Sequence, residues 1–192
     1  DSSTSRGLGD VYKRQTSGIV PGSGNDAASI EIRNASNVEL LSVGAFGSSA
    51  NWRIRARSSD RATSGFSDAG DTSNSGTDAF LLIRVDVDTS GAGADNIYFW
   101  TDPTLGAEPT IVSAESSITG TNFWDADEFS ISRIRSGVIN SGSTGDKTLN
   151  YDEFRLGTTF ADVTPIPEPG VFALVLSSIL GVIGIGRRRR NG

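Results

Sequence analysis

The sequence predicts an all-β protein, a sandwich of two antiparallel sheets, and three observations carry that prediction. From residue 16 to residue 163, short apolar or alternating runs are separated by clusters of Gly, Ser, Asn and Asp. The chain contains 23 glycines, which fall mainly between those runs. This range has no stretch with the 3.6-residue apolar period of an amphipathic helix. Seven or more short strands in about 150 residues indicate two packed layers.

The strands can be placed in chain order from the same pattern. From Trp52 to Arg57 the alternation is strict, which predicts a half-buried strand with three apolar residues inside and Arg53, Arg55 and Arg57 outside. The run from Phe80 to Val87 is almost continuously apolar, which indicates a more central strand. The predicted strands are 29–33, 38–46, 51–57, 79–87, 96–101, 128–135 and 148–156. The predicted interior residues are Trp52, Ile54, Phe80, Leu82, Ile97, Phe99, Phe129, Ile131 and Phe154.

A different pattern begins after the sandwich, at residue 164. Residues 164–170 contain three prolines, which favour a stiff extended linker. Residues 170–186 carry no charge, and 17 uncharged residues are just long enough to predict a single transmembrane helix. The tail 187–192 contains four consecutive arginines, which favour the cytoplasmic side and so place everything before the helix outside.

This C-terminal segment resembles the PEP-CTERM sorting signal of exported proteins from Gram-negative bacteria that make extracellular polysaccharide. The residues that carry the resemblance are Pro167, Glu168, Pro169, Arg187, Arg188, Arg189 and Arg190. The resemblance implies a precursor held in the inner membrane by its helix, then processed near Pro167–Pro169 by an exosortase. The mature form would reach the cell surface or the extracellular matrix. The alternative is an ordinary C-terminal anchor with basic stop-transfer residues.

The first 15 residues are set aside as a non-native or disordered leader. The segment from Ser5 to Gln15 resembles a translated sequencing-adapter remnant that recurs at the ends of assembled environmental sequences. The chain has no Met, and residues 1–19 contain no apolar run of the kind a signal peptide needs. We therefore expect natural sequence before Thr16, including a first strand, to be missing.

Composition excludes several kinds of function. With no Cys and no His, the chain has no disulfide, no thiolate or imidazole metal ligand, and no Ser-His or Cys-His nucleophile system. Residues 16–166 carry 10 basic and 20 acidic groups, a net charge of −10, which disfavours nucleic acid as a partner.

Three segments resemble the concanavalin A/laminin-G-like jelly roll. They are residues 80–86, residues 95–109 and the closing stretch 151–163. The resemblance implies that fold for most of residues 80–163 and fits residues 29–57 only loosely. Glycosidases of this architecture place two carboxylates on one strand in a Glu-x-Asp-x-x-Glu pattern, which this chain lacks. The sequence therefore predicts a non-catalytic protein.

Two kinds of ligand site remain as candidates. Asp86, Asp88 and Asp95 can converge at a turn between two strands, where carboxylate oxygens would suit calcium; the alternative is solvated loop acids. A sugar could stack on Trp124 and hydrogen-bond the neighbouring polar residues Asn122 and Asp125; the alternative is a core tryptophan.

The outward face formed by Arg53, Arg55 and Arg57 has two interpretations, a solvated surface or a contact with acidic polysaccharide.

The function predicted from the whole sequence is an exported, non-catalytic surface or matrix protein of exopolysaccharide and biofilm. The alternative is a lectin-like carbohydrate-binding module, with calcium as its candidate ion.

Overall fold

A computed structural model describes residues 5–13, 27–46, 51–68, 79–88, 90, 93–124, 129–139 and 153–164. For residues 5–13, 27, 138–139 and 153 the description covers the backbone alone. Within these ranges the strands are β1 (Ser5–Lys13), β2 (Ala27–Arg33), β3 (Glu39–Phe46), β4 (Arg53–Arg57), β5 (Ser64–Asp68), β6 (Ala79–Val87), β7 (Asp95–Thr101), β8 (Ser116–Thr121), β9 (Arg133–Ile139) and β10 (Glu153–Phe154). A 3₁₀ turn (Ile111–Ser113) and a single helical turn, α1 (Phe160–Val163), accompany them.

The strands form two five-stranded antiparallel sheets, as the sequence predicts. Sheet A has the order β10-β1-β6-β7-β8, and sheet B has the order β5-β4-β3-β2-β9. Consecutive strands pair through hairpins in β2 to β5 and again in β6 to β8. Strand β9 returns from far along the chain to pair with β2, so the second sheet is closed by a long-range contact.

One apolar core lies between the sheets. The alternation of β4 is confirmed, because Ile54 and Ala56 are fully buried while the three arginines that alternate with them are half-buried. Trp52, Ile97 and Phe99 join the same core, and the predicted interior residues Phe129, Ile131 and Phe154 pack against it while remaining partly exposed.

The two sheets meet along one side at the strands β5 and β8. Gly65 faces inward there, and a Cβ on it would lie 2.8 Å from both Ile118 Cγ2 and Phe123 Cζ. Beside it, the hydroxyls of Ser67 and Ser116 are hydrogen-bonded to each other across the sheets. A side chain at residue 65 would therefore push the sheets apart.

The prediction that Phe80 and Leu82 belong to the inner core is wrong. Both lie on the outer face of sheet A, in a second cluster with Trp100 and Val163. Leu81, together with Ile83, Val85 and Val87, supplies the inward face of β6 instead. The outer cluster exists because the turn α1 covers this part of the sheet, so β6 is buried on both faces at its start.

Ser5–Lys13, within the segment that the sequence analysis sets aside, forms β1 between β6 and β10. Its pairing with β6 shifts register twice, between Arg6 and Leu8 and between Leu8 and Val11. Ladder hydrogen bonds use only backbone groups, so a segment needs no particular side chains to occupy this position. The strand lies where we expected a first strand of the domain to be missing.

Within the described ranges, no helix has both the length and the apolar character needed to cross a bilayer. Residues 170–186, where the sequence predicts a transmembrane helix, lie outside those ranges.

Candidate functional site

The three predicted calcium ligands are brought to the same hairpin, but their carboxylates have different protein partners. Asp86 accepts from Arg84 Nε at 2.8 Å and from its second terminal nitrogen at 2.9 Å. Asp88 accepts from the Ser90 hydroxyl at 2.6 Å and from the backbone N–H of Gly93. In the part of the chain that the structure describes, no three acidic side chains are grouped so as to hold a metal ion.

Asp95 has a structural role in this hairpin. Its side chain is fully buried at the start of β7. The backbone N–H of Asp88 donates to its Oδ1 at 2.9 Å, and those of Phe123 and Trp124 donate to its Oδ2 at 2.8 and 2.9 Å. One carboxylate thus joins the β6–β7 turn to the segment that follows β8, and satisfies three backbone donors, of which those of Phe123 and Trp124 are buried.

The predicted sugar platform lies in the core. Trp124 has no exposed surface, its ring centroid is 4.5 Å from that of Phe129, and its Nε1 donates to the Arg57 carbonyl at 2.8 Å. A ring with neither face open cannot stack on a pyranose, so Trp124 is a core residue and not a sugar platform. Asn122 is exposed beside it, and Asp125 lies outside the described residues.

A pocket of about 120 Å³ opens on the outer face of sheet A, between β6 and α1. Its walls include Leu82, Trp100 and Phe160, and the ion pair of Arg84 with Glu108 lies at its rim. Ligand pockets are typically about 300–1,000 Å³, so this one is small. Trp100 is 3 % exposed, which leaves almost none of its ring available to a ligand.

The opposite side of the molecule, the outer face of sheet B, is strongly basic. Alternation along each strand directs one arginine of β2, three of β4 and two of β9 away from the core. The register aligns β9, β2, β3, β4 and β5, so that these arginines lie side by side across the sheet. We call this surface the basic face, and its arginines are Arg33, Arg53, Arg55, Arg57, Arg133 and Arg135.

Two buried glutamates hold four of the six arginines of the basic face in place. Glu31 is 4 % exposed and lies 2.5 Å from the terminal nitrogen of Arg33 and 3.1 Å from that of Arg135. Glu39 is 6 % exposed and lies 2.7 Å from Arg55. Both carboxylates are thus more buried than the guanidinium groups of Arg55 and Arg135 that they contact, so these guanidinium groups are the solvent-facing partners.

Burial of the Glu39 carboxyl raises its pKa, but other interactions outweigh that effect. The Ser42 hydroxyl donates to it at 2.7 Å, and the charges of Arg55 and Arg57 favour the ionised form. The pKa of Glu39 in the folded protein therefore lies below its ordinary value of 4.5. Ionised Glu39 consequently stabilises the fold.

We expect Glu39→Gln to lower the free energy of unfolding by about 1–3 kcal/mol at pH 7, because two arginines lose their buried partner. The folded pKa is the lower one, so the contribution is fully present above pH 4.5 and is lost as the pH falls through the folded pKa. Urea denaturation of both proteins across this range should show the difference narrowing below pH 4.5. The control is Glu108→Gln, whose ion pair is 47 % exposed on the Glu side and should contribute little. A difference that stays constant down to pH 3 would contradict the assignment.

The predicted sorting residues Pro167, Glu168, Pro169, Arg187, Arg188, Arg189 and Arg190 lie outside the described residues.

Sequence reasoning identified Arg53, Arg55 and Arg57 as one face but missed Arg33, Arg133 and Arg135. The alternation of arginine with apolar residues in 131–135 is the local signal that could have found the last two.

Comparison with protein-family models gives no match for this chain, and neither the curated proteins nor the solved structures searched contain a match.

Proposed function

We propose that this chain is an exported, non-catalytic surface or matrix protein whose C-terminal segment is a PEP-CTERM signal processed by an exosortase. The observation that carries the proposal is the order of three parts at the C-terminus. A Pro-Glu-Pro linker comes first, then 17 uncharged residues, then four arginines. In this proposal the helix inserts into the inner membrane, the arginines stay cytoplasmic, and the linker presents the processing site outside.

The folded domain fits processing at that site. Val163 is 3 % exposed and belongs to the outer cluster of sheet A, and Arg155 donates to the Thr164 carbonyl at 2.5 Å. The last buried residue that the structure describes thus lies four positions before Pro167. Cleavage at Pro167–Pro169 would release the sandwich without removing any described core residue.

We further propose that the sandwich is a concanavalin A/laminin-G-like jelly roll. The two five-stranded antiparallel sheets with a shared core support this proposal at the level of architecture. A fold of this kind hosts many unrelated activities, so the fold alone assigns none.

The test is processing in a bacterium that makes an exosortase. The full chain, expressed behind a signal peptide, should yield an extracellular form whose intact mass lacks Arg187–Arg190 and ends within Pro167–Pro169. In an exosortase-deletion strain, or with Pro167→Ala and Pro169→Ala together, the full-length chain should stay in the membrane fraction. An extracellular form that retains Arg187–Arg190 would overturn the proposal in favour of a different export route. A full-length membrane form that is identical with and without the exosortase would mark a plain anchor.

A second function is carbohydrate binding, and the basic face is the observation that favours it. This surface presents guanidinium groups next to Phe66, which is 42 % exposed. Hydrogen-bonding groups beside an exposed aromatic ring are the combination that sugar-binding surfaces use.

A further inference from the structure

The basic face concentrates positive charge on a domain that is otherwise acidic. Residues 16–166 contain ten basic groups, and six of them are the arginines of this face. Only three acidic groups of the twenty in that range are described on the same face, namely Glu31, Glu39 and Asp68. Among the described residues this face has an excess of three positive charges, whereas residues 16–166 as a whole carry −10. A polyanion is therefore attracted to this face although the net charge of the domain repels it.

The register places the two ends of the basic face in one row across the sheet. One row across the sheet runs through Arg135, Glu31, Ser42, Arg55 and Phe66. Adjacent strands are about 4.8 Å apart, so such a row extends for about 19 Å over five strands. A row of this length is long enough to contact several consecutive units of a linear polymer.

The guanidinium groups differ in how far they are already occupied. Arg33 is buried with Glu31, whereas the Arg135 side chain is 51 % exposed although it touches the same carboxylate. Arg133 lies on the same edge strand, is exposed, and has no ion-pair partner among the described residues. Arg133 and Arg135 are therefore open to an external anion.

The other end of the face has an aromatic component. The Arg53 guanidinium lies 3.9 Å above the centroid of the Phe66 ring, and Arg55 lies 4.7 Å from that of Phe46. Cation–π contacts hold these two arginines against the rings. Both are also paired with carboxylates of the protein, Arg53 with Asp68 and Arg55 with Glu39, so this end of the face offers the exposed Phe66 ring, and the open guanidinium groups lie at the other end.

We propose that the basic face binds an acidic polysaccharide, a linear chain of uronic acid units that lies across the strands of sheet B. Its carboxylates pair with Arg133 and Arg135 at one edge, and its apolar sugar faces contact Phe66 at the other. This inference deepens the carbohydrate-binding function proposed above and is independent of the sorting tail. A single flexible polyanion suits this face because it can follow the basic face and avoid the acidic remainder of the domain.

The experiment measures binding of the full-length chain, held in mild detergent, to polygalacturonate. Neutral dextran, duplex DNA and phosphatidylglycerol vesicles serve as comparison ligands. The variant Arg133→Gln with Arg135→Gln removes two exposed charges from the basic face. Its matched control, Arg84→Gln with Arg155→Gln, also removes two positive charges, but from the part of the molecule formed by sheet A. We expect the first variant to weaken polygalacturonate binding by about tenfold and the control by less than about twofold. Wild-type binding should also weaken steeply with added salt.

Each other outcome decides against the proposal. Equal weakening by the two variants would mean attraction to overall charge, and no saturable binding by the folded wild type would exclude the site. Tighter binding to DNA or to vesicles than to polygalacturonate would assign the basic face to another polyanion. Saturable binding to dextran alone would keep carbohydrate binding but overturn the acidic ligand, while binding to neither glycan would overturn both. If the double variant loses its native circular-dichroism spectrum, Arg133→Gln alone gives the same comparison, because this arginine has no described ion-pair partner to leave behind.

Discussion

Asp95→Ala is expected to lower the free energy of unfolding by about 3–5 kcal/mol, because it leaves three backbone N–H groups, two of them buried, without this acceptor. Those donors belong to Asp88, Phe123 and Trp124, and they come from two separate segments. Removal of the carboxylate therefore weakens two connections at once. Guanidinium denaturation measures the loss, and an unchanged m-value would show that both proteins unfold between comparable states.

Two controls separate this structural role from a metal-binding one. Asp86→Ala removes a carboxylate whose partner is Arg84, near the surface, and we expect it to cost about 1 kcal/mol or less. Asp95→Asn keeps one acceptor oxygen, so we expect a loss between those of the two alanine variants. If calcium raised the melting temperature of the wild type but not that of Asp95→Asn, Asp95 would be a ligand and the structural role would be contradicted.

The sequence predicted the central strands better than the edges. Strands β4, β6 and β7 were found because strands with a buried face need regular apolar positions. Of the strands that the sequence did not predict, β1 lies inside sheet A but in the segment set aside, while β5 and β8 are edge strands, each with a single large apolar residue, Phe66 or Ile118. A strand paired on one side only can be mostly polar, so its sequence resembles that of a loop.

Side-chain direction in β6 was a different kind of error. A continuous apolar run does not reveal which alternate set faces the core, because both sets are apolar. The polar residues at its far end do reveal it. Arg84 and Asp86 lie on the same face as Phe80 and Leu82, so that face had to be the outer one.

Most of the basic face could not be predicted from local sequence. Arg135 reaches Glu31 across 104 positions of the chain, and only the β2–β9 pairing brings them together. The same limit applies to the aspartates of the β6–β7 hairpin. The sequence placed them correctly near one turn, but which donors each carboxylate meets depends on a segment that comes about 30 residues later.

Trp124→Ala is the second substitution with a large expected effect, a loss of about 3–5 kcal/mol in the free energy of unfolding. The indole is fully buried, packs against Phe123 and Phe129, and donates to the Arg57 carbonyl. Its removal creates a cavity and takes away the indole donor to that carbonyl. Trp124→Phe keeps much of the packing and loses mainly the hydrogen bond, so it should cost clearly less.

The same variants decide between a core residue and a sugar platform at this position. A sugar platform predicts weaker glycan binding at unchanged stability, whereas the core position predicts lost stability and, under conditions where the variant is folded, unchanged binding to the basic face. The backbone N–H of Trp124 also donates to the Asp95 carboxylate at 2.9 Å, so the two residues hold the same segment. We therefore expect the double variant Asp95→Ala with Trp124→Ala to lose less stability than the sum of the single losses. Full additivity would show that the carboxylate and the indole act separately, and that the hairpin and the segment after β8 are not held as one unit.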